Sequence, residues 1–276
     1  MRAPPSHNGF FMVLPEISVA LSLIASSHVL ASLIRQSASQ QKTVVNKQLF
    51  HFALTDIIRT SLYLASWGCT RLVLFLLSPL SDLVSINDWA CSAQVVPETL
   101  VIIQAVLFIH MAVSCFSSTF GLKKLHAVLS NFVFVAWIIG GSVGFVSALF
   151  TRCSGDVENG ICFHAQPFHM TSVAVETLAI AMSIGVCVSC AAFRQSSQHC
   201  WFILCPIVAW TPFVVLTFSS AFATVREDLF RPLQSVLAIE HSIGVWVFLV
   251  YILRGKVPGS GSVSLTSATA SIEIET

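Results

Sequence analysis

Long apolar stretches alternate with short polar segments along most of the chain. Seven of these stretches reach the length of about 20 largely apolar residues that a membrane-spanning helix needs. They lie near residues 12–34, 49–68, 91–116, 128–150, 170–193, 200–222 and 232–253. Residues 72–80, after Arg71, are apolar but too few to span, so they form either an interfacial segment or an extension of the second helix. The pattern predicts an all-α membrane protein, a bundle of seven transmembrane helices.

The polar segments predict how this bundle is oriented. Residues 1–11 form a short N-terminus, residues 12–254 the bundle, and residues 255–276 a disordered tail rich in Ser and Thr. Loop Lys and Arg residues are more numerous at the end of the bundle that carries the tail, and such an excess marks the cytoplasmic side. We therefore expect the N-terminus outside and the C-terminus in the cytoplasm. The cationic residues on the tail side are Arg35, Lys42, Lys47, Lys123, Lys124, Arg194, Arg254 and Lys256.

Composition narrows the class of protein further. The chain has 276 residues, of which 55% are hydrophobic and 10% are charged, whereas about 25% are charged in an ordinary soluble domain. This scarcity of charge excludes a secreted soluble domain and makes membrane lipid the main surrounding of the chain. The net charge of +1 provides no basic surface for nucleic acid.

Four of the nine cysteines fall near the predicted outer ends of the helices, where an oxidising environment favours disulfides. They are Cys69, Cys91, Cys153 and Cys162. A bridge between Cys91 and Cys162 would pin the loop between the fourth and fifth helices across the mouth of the bundle. Cys69 and Cys153 are candidates for a second bridge. Spacing alone does not choose among the three connectivities or exclude four free thiols.

Six charged residues fall within the predicted spans, where an ionised side chain at mid-bilayer costs about 2.5 kcal/mol or more. Asp56 and Arg59 lie three residues apart in the second span, so they share a helix face and are expected to pair. A structural pair and a switch or ion site are equally consistent with this spacing. The full set comprises Glu16, Asp56, Arg59, Glu98, Glu176 and Glu240.

Three of these carboxylates lie in the outer half of different helices and predict an acidic pocket. Glu98 lies two helical turns below Cys91, and Glu176 and Glu240 lie at similar depth in the fifth and seventh spans. The neighbouring His169 and His241 are candidates to hydrogen-bond Glu176 and Glu240, and the predicted ligand-binding residues are Glu98, Glu176, Glu240 and His241. Such a pocket would bind a cationic ligand or a proton, although structural hydrogen bonding explains Glu98 equally well.

Several landmarks make the chain resemble the G-protein-coupled receptor superfamily. The order of spans, the outer cysteine pair and the buried acid Asp56 in HFALTD all resemble rhodopsin-like receptors. Trp137 lies midway along the fourth span, and Trp210-Thr211-Pro212 in the sixth is similar to their W-x-P bend. In the seventh, the G-x6-Y stretch that ends at Tyr251 is similar to that of secretin, adhesion and slime-mould cyclic-AMP receptors.

The resemblance implies a receptor that transduces the signal of a small extracellular ligand to a cytoplasmic heterotrimeric G protein, with a Cys91–Cys162 bridge. It also implies residence in the plasma membrane. The chain departs from the rhodopsin-like pattern at two places. Residues 110–121 lack the D/E-R-Y triplet, and the seventh span lacks N-P-x-x-Y, which puts rhodopsin-type activation switching in doubt.

Other seven-helix chemistries lack their residues. The seventh span has no lysine for a retinal Schiff base, and the chain has no H-E-x-x-H or G-x-S-x-G motif. We therefore expect neither an enzyme nor a bound metal or cofactor. The remaining alternative is a proton-linked transporter that uses the intramembrane carboxylates.

Overall fold

The computed structural model describes residues 9–36, 43–77, 83–149, 153–156, 161–164, 166–192, 201–222 and 230–256. Within these ranges the chain forms nine helices and one pair of short strands. The helices are α1 (Gly9–Ile34), α2 (Val44–Leu77), α3 (Leu83–Thr119), α4 (Lys123–Asn131), α5 (Val135–Leu149), α6 (Gln166–Ala192), α7 (Leu204–Phe222), α8 (Phe230–His241) and α9 (Ile243–Lys256). The strands, β1 (Cys153–Asp156) and β2 (Ile161–His164), pair antiparallel between α5 and α6.

Three described helices are long and apolar enough to cross a membrane: Val13–Ile34, Val95–Thr119 and Met170–Ala192. The number rises to five if the bent pairs α4–α5 and α8–α9 each count as one span. Large apolar side chains cover their outer surfaces, for example Ile24 with 66% of its surface exposed and Phe145 with 65%. Because such surfaces are stable against lipid, the chain fits a membrane-embedded protein.

The helices pack around α3, which contacts α2, α5 and α6. The contacts then continue from α6 to α7, from α7 to α8, and from both α8 and α9 to α1. Since α1 also contacts α2, the first and last helices close the arrangement. The short strands contact α3 as well.

The second helix is longer than its predicted span. It runs without a break to Leu77, so the apolar segment after Arg71 continues α2 at least that far. Of the two interpretations of this segment, the structure therefore supports the extended helix.

The fourth predicted span, residues 128–150, is not one straight helix. It breaks between α4 and α5, whose axes differ by 64°. Lys47 Nζ donates a hydrogen bond of 3.2 Å to the Ser130 carbonyl oxygen, which in a continuous helix would accept from the amide of Phe134. Hydropathy carries no information on this contact from another helix, so the sequence did not predict the bend.

The seventh predicted span, residues 232–253, is broken as well, with α8 and α9 bent by 48° at Ser242. The Gly244 amide would pair with the Glu240 carbonyl in a continuous helix. Instead it donates to Ser22 Oγ of α1 over 3.0 Å. A side chain from another helix that takes a backbone amide in this way is a known cause of kinks.

Gly140 marks the closest approach of α5 to α3. A Cβ at this position would lie 2.7 Å from the Ile103 Cα, whereas a Cβ at the adjacent Gly141 meets no atom within 4 Å. We expect Gly140→Ala to lower the free energy of unfolding by about 1–3 kcal/mol, because the two backbones must separate. Gly141→Ala should be neutral or stabilising through its helix propensity.

Thermal unfolding followed by a thiol-reactive dye measures this difference, since Cys115, Cys190 and Cys205 are buried and react only when the bundle opens. Equal melting temperatures for the two alanine variants would contradict the close approach of α5 and α3.

Candidate functional site

Asp56 is the centre of a buried hydrogen-bond cluster. Its Oδ2 accepts from Ser22 Oγ at 2.9 Å and from Ser26 Oγ at 2.7 Å. Its Oδ1 accepts from Arg59 Nη2 at 3.0 Å and from Gln104 Nε2 at 2.9 Å. All five side chains are buried, and they come from α1, α2 and α3. We call these five residues the Asp56 cluster.

Gly244 connects α9 to the Asp56 cluster. Its amide bonds Ser22 Oγ, and a Cβ there would collide with Asp56 Oδ2 and Ser22 Oγ. Glycine is therefore the residue that lets α9 approach the carboxylate. The sequence pattern marked Gly244 only as the start of the G-x6-Y stretch.

Arg59 is held by Asp56 through one nitrogen only. Its side chain is 3% exposed, and its Nε and Nη1 have no hydrogen-bond partner among the described residues. The guanidinium also interacts electrostatically with Glu176 and Glu240. Arg59 thus links the Asp56 cluster to the predicted acidic pocket.

The structure brings together the three carboxylates that the sequence placed at similar depth. Glu176 of α6 interacts electrostatically with Glu240 of α8 and with Glu98 of α3. Glu176 and Glu240 are 1% and 5% exposed, whereas Glu98 is half-buried. Ser172 Oγ donates to Glu176 Oε1 over 2.8 Å. We call Glu98, Glu176 and Glu240 the acidic group; binding of a ligand there stays a prediction.

His241 and Tyr63 border the acidic group. Their rings lie 4.7 Å apart between centroids, and the Tyr63 hydroxyl interacts electrostatically with Glu240 and Glu98. His241 is buried and directly precedes the break at Ser242. Among the hydrogen bonds of the described residues, none joins His241 to Glu240, in contrast to the prediction.

The predicted tryptophan landmarks occupy the interior. Trp210 is fully buried and packs edge-on against Phe108 at a centroid distance of 5.4 Å. Pro212 lies inside α7. Trp137 faces His51 of α2 at 6.4 Å. The Trp210 contact joins α7 to α3 and the Trp137 contact joins α5 to α2, so a structural role in packing accounts for both rings.

A second set of polar contacts lies at the opposite end of the bundle. Gln36 Nε2 donates to the Tyr251 hydroxyl at 3.0 Å, and Asn46 Nδ2 donates to Gln36 Oε1 at 2.9 Å. In the same region, Gln48 Nε2 bonds Ser114 Oγ at 2.8 Å. Tyr251 therefore connects the end of α9 to the segment between α1 and α2.

Several participants were missing from the sequence prediction. Uncharged polar residues inside apolar helices gave the only signal, because such residues need partners in the membrane interior. The residues in question are Ser22, Ser26, Gln104, Ser172 and Tyr63. The side chains of Cys69, Cys91, Cys153 and Cys162 lie outside the described part of the structure, so the disulfide prediction is not addressed.

In the described part of the chain, no group of three or more His, Cys, Asp or Glu side chains is placed to hold a metal ion. No protein-family model matches the sequence, and no curated protein shows significant sequence similarity to it.

Proposed function

We propose that this chain is a seven-transmembrane receptor similar to G-protein-coupled receptors, which transmits an extracellular signal to a heterotrimeric G protein. In this proposal the bent pairs α4–α5 and α8–α9 each form one span and α2 and α7 also cross the bilayer. The N-terminus lies outside, the C-terminus lies in the cytoplasm of a plasma-membrane protein, and a Cys91–Cys162 bridge closes the outer loop.

One observation carries the proposal: the acidic group, in which Glu176 and Glu240 are buried, is connected through Arg59 to the Asp56 cluster. That cluster joins α1, α2 and α3, and Gly244 adds α9. Binding at the acidic group would change the charge next to Arg59 and so bias the packing of these helices. A ligand that binds one arrangement better shifts the population toward it.

Tyr251 and the α4 segment supply a route to the cytoplasmic end. At that end, the Tyr251 hydroxyl accepts a hydrogen bond from Gln36, and the Lys47 ammonium donates one to the Ser130 carbonyl oxygen. Rearrangement of α9 would change these contacts, where the resemblance places the G-protein surface. The proposed output is helix movement at this end.

The break of the last span supports a second candidate, the proton-linked transporter. Glu240 lies two residues before the break at Ser242, and transporters commonly form their substrate and coupling-ion sites at interrupted helices. In this alternative, Glu176 and Glu240 would carry protons across the bilayer.

Nucleotide exchange separates these two functions. The full chain is reconstituted in lipid nanodiscs with each class of heterotrimeric G protein, and GTPγS binding is measured during acidification and with a panel of small organic amines. The receptor proposal expects stimulated exchange, weakened in Glu98→Gln and unchanged in Glu273→Gln of the C-terminal segment. Absence of exchange in every combination, with proton-driven uptake into liposomes, would instead support the transporter.

A further inference from the structure

We propose that Glu176 and Glu240 form an intramembrane proton-binding site whose charge is sensed by Arg59. The inference rests on the proposed function and narrows its ligand to a proton. It follows from the burial of the two carboxylates, from their incomplete hydrogen bonding and from the balance of charges around them.

Both carboxylates are enclosed in the bundle. They are 1% and 5% exposed and come from different helices, α6 and α8. The Oε2 atom of each is buried without a hydrogen-bond partner among the described residues. An ionised carboxylate in this position forgoes solvation that a membrane interior does not replace. A carboxylic acid carries no net charge and avoids much of that cost.

The charges that face this pair are predominantly negative. Glu98 from α3 interacts with both carboxylates, and Arg59 from α2 provides the cation that acts on them. Asp56 already binds Arg59 in an ion pair of 3.0 Å. Tyr63 of α2 interacts with Glu240, and Tyr63 in turn neighbours Glu16 of α1 and His241 of α8.

Among the described residues, Arg59 thus interacts with the three carboxylates of Asp56, Glu176 and Glu240, and Glu98 adds a further negative charge to the pair. Repulsion between charges is strong at low effective dielectric constant, so uptake of a proton by Glu176 or Glu240 relieves it. A proton is also the cation that reaches nearly inaccessible carboxylates without requiring an open cavity. Larger organic cations fit the half-buried Glu98 better than this pair.

Arg59 is positioned to respond to the proton. Its Nη2 bonds Asp56 while Nε and Nη1 have no partner in the described structure. With Glu176 and Glu240 ionised, the guanidinium is drawn toward them and away from Asp56. When the pair binds a proton, the guanidinium stays with Asp56. The Asp56 carboxylate also accepts hydrogen bonds from Ser22, Ser26 and Gln104. The proton therefore determines how firmly α1, α2 and α3 are joined.

Infrared difference spectroscopy tests proton binding directly. The full chain in nanodiscs is taken from mildly alkaline to mildly acidic buffer, and the carbonyl stretch of protonated carboxylic acids is recorded. We expect a buried carboxylic acid band, sheltered from deuterium exchange, that is lost in the double variant Glu176→Gln/Glu240→Gln. The matched variant Glu273→Gln should retain the band.

The Arg59→Lys variant tests the sensing step, because lysine keeps the charge but not the planar fork of nitrogens. We expect its band to persist with a shifted midpoint. The same band in the folded double variant, or a pair that stays ionised throughout the titration, would overturn the inference. A band that the double variant loses supports the proton site even if acidification fails to stimulate GTPγS binding; that second result counts against the receptor proposal alone.

Discussion

Replacing Asp56 by alanine should lower the free energy of unfolding by about 3–5 kcal/mol, the largest effect of any single substitution that we predict. The variant leaves the Arg59 guanidinium buried without its counter-charge. It also removes the acceptor of the two serine hydroxyls and of the Gln104 amide. Unfolding followed by thiol reactivity in detergent or nanodiscs measures the loss.

Asp56→Asn is the matched control, because asparagine keeps the size and shape of the side chain and removes its charge. It keeps one carbonyl oxygen as an acceptor and loses the charge, so its stability should fall between those of the wild type and Asp56→Ala. A melting temperature of Asp56→Ala equal to that of the wild type would show that the cluster does not stabilise the bundle.

The second large effect is expected for Gly244→Ala, at about 3 kcal/mol of lost stability. The added methyl group collides with Asp56 Oδ2, Ser22 Oγ and Ser26 Oγ, so α9 must move away. That movement also lengthens the bond from the Gly244 amide to Ser22.

Gly185→Ala provides the control, because a Cβ at Gly185 meets no atom within 4 Å. That variant should unfold at the wild-type temperature or slightly above it. The Ser22→Ala variant tests the cause of the effect, since it removes one of the three colliding atoms. If Gly244→Ala is no more stable in the Ser22→Ala background, the collision with the hydroxyl is not the cause.

Hydropathy gave the helical class and the approximate position of the apolar helices, because these depend on the residues of one segment at a time. The two breaks depended on partners from other segments. Lys47 donates a hydrogen bond to the Ser130 carbonyl oxygen, and Ser22 Oγ accepts one from the Gly244 amide. No property of residues 128–150 or 232–253 alone reveals those contacts.

The members of the acidic group could be predicted, like the helices, because each depends on the residues of one segment. Charged residues in an apolar helix stand out, and depth in the membrane follows from position along the helix. Pairing of Asp56 with Arg59 followed from their three-residue spacing and is present in the structure. The rotation of each helix does not follow from depth, so the hydrogen bond from Ser172 to Glu176 was not predicted.

The bond between Gly244 and Ser22 joins residues separated by 222 positions, which has a consequence for biosynthesis. The chain is made from its N-terminus, so Ser22 and Asp56 are synthesised long before α9. Until then the Asp56 cluster lacks its contact with Gly244, and the side of its polar groups that α9 covers stays open. Truncation before residue 243 should therefore leave an insertion product that cellular quality control recognises as unfinished, although most of its helices are already in place.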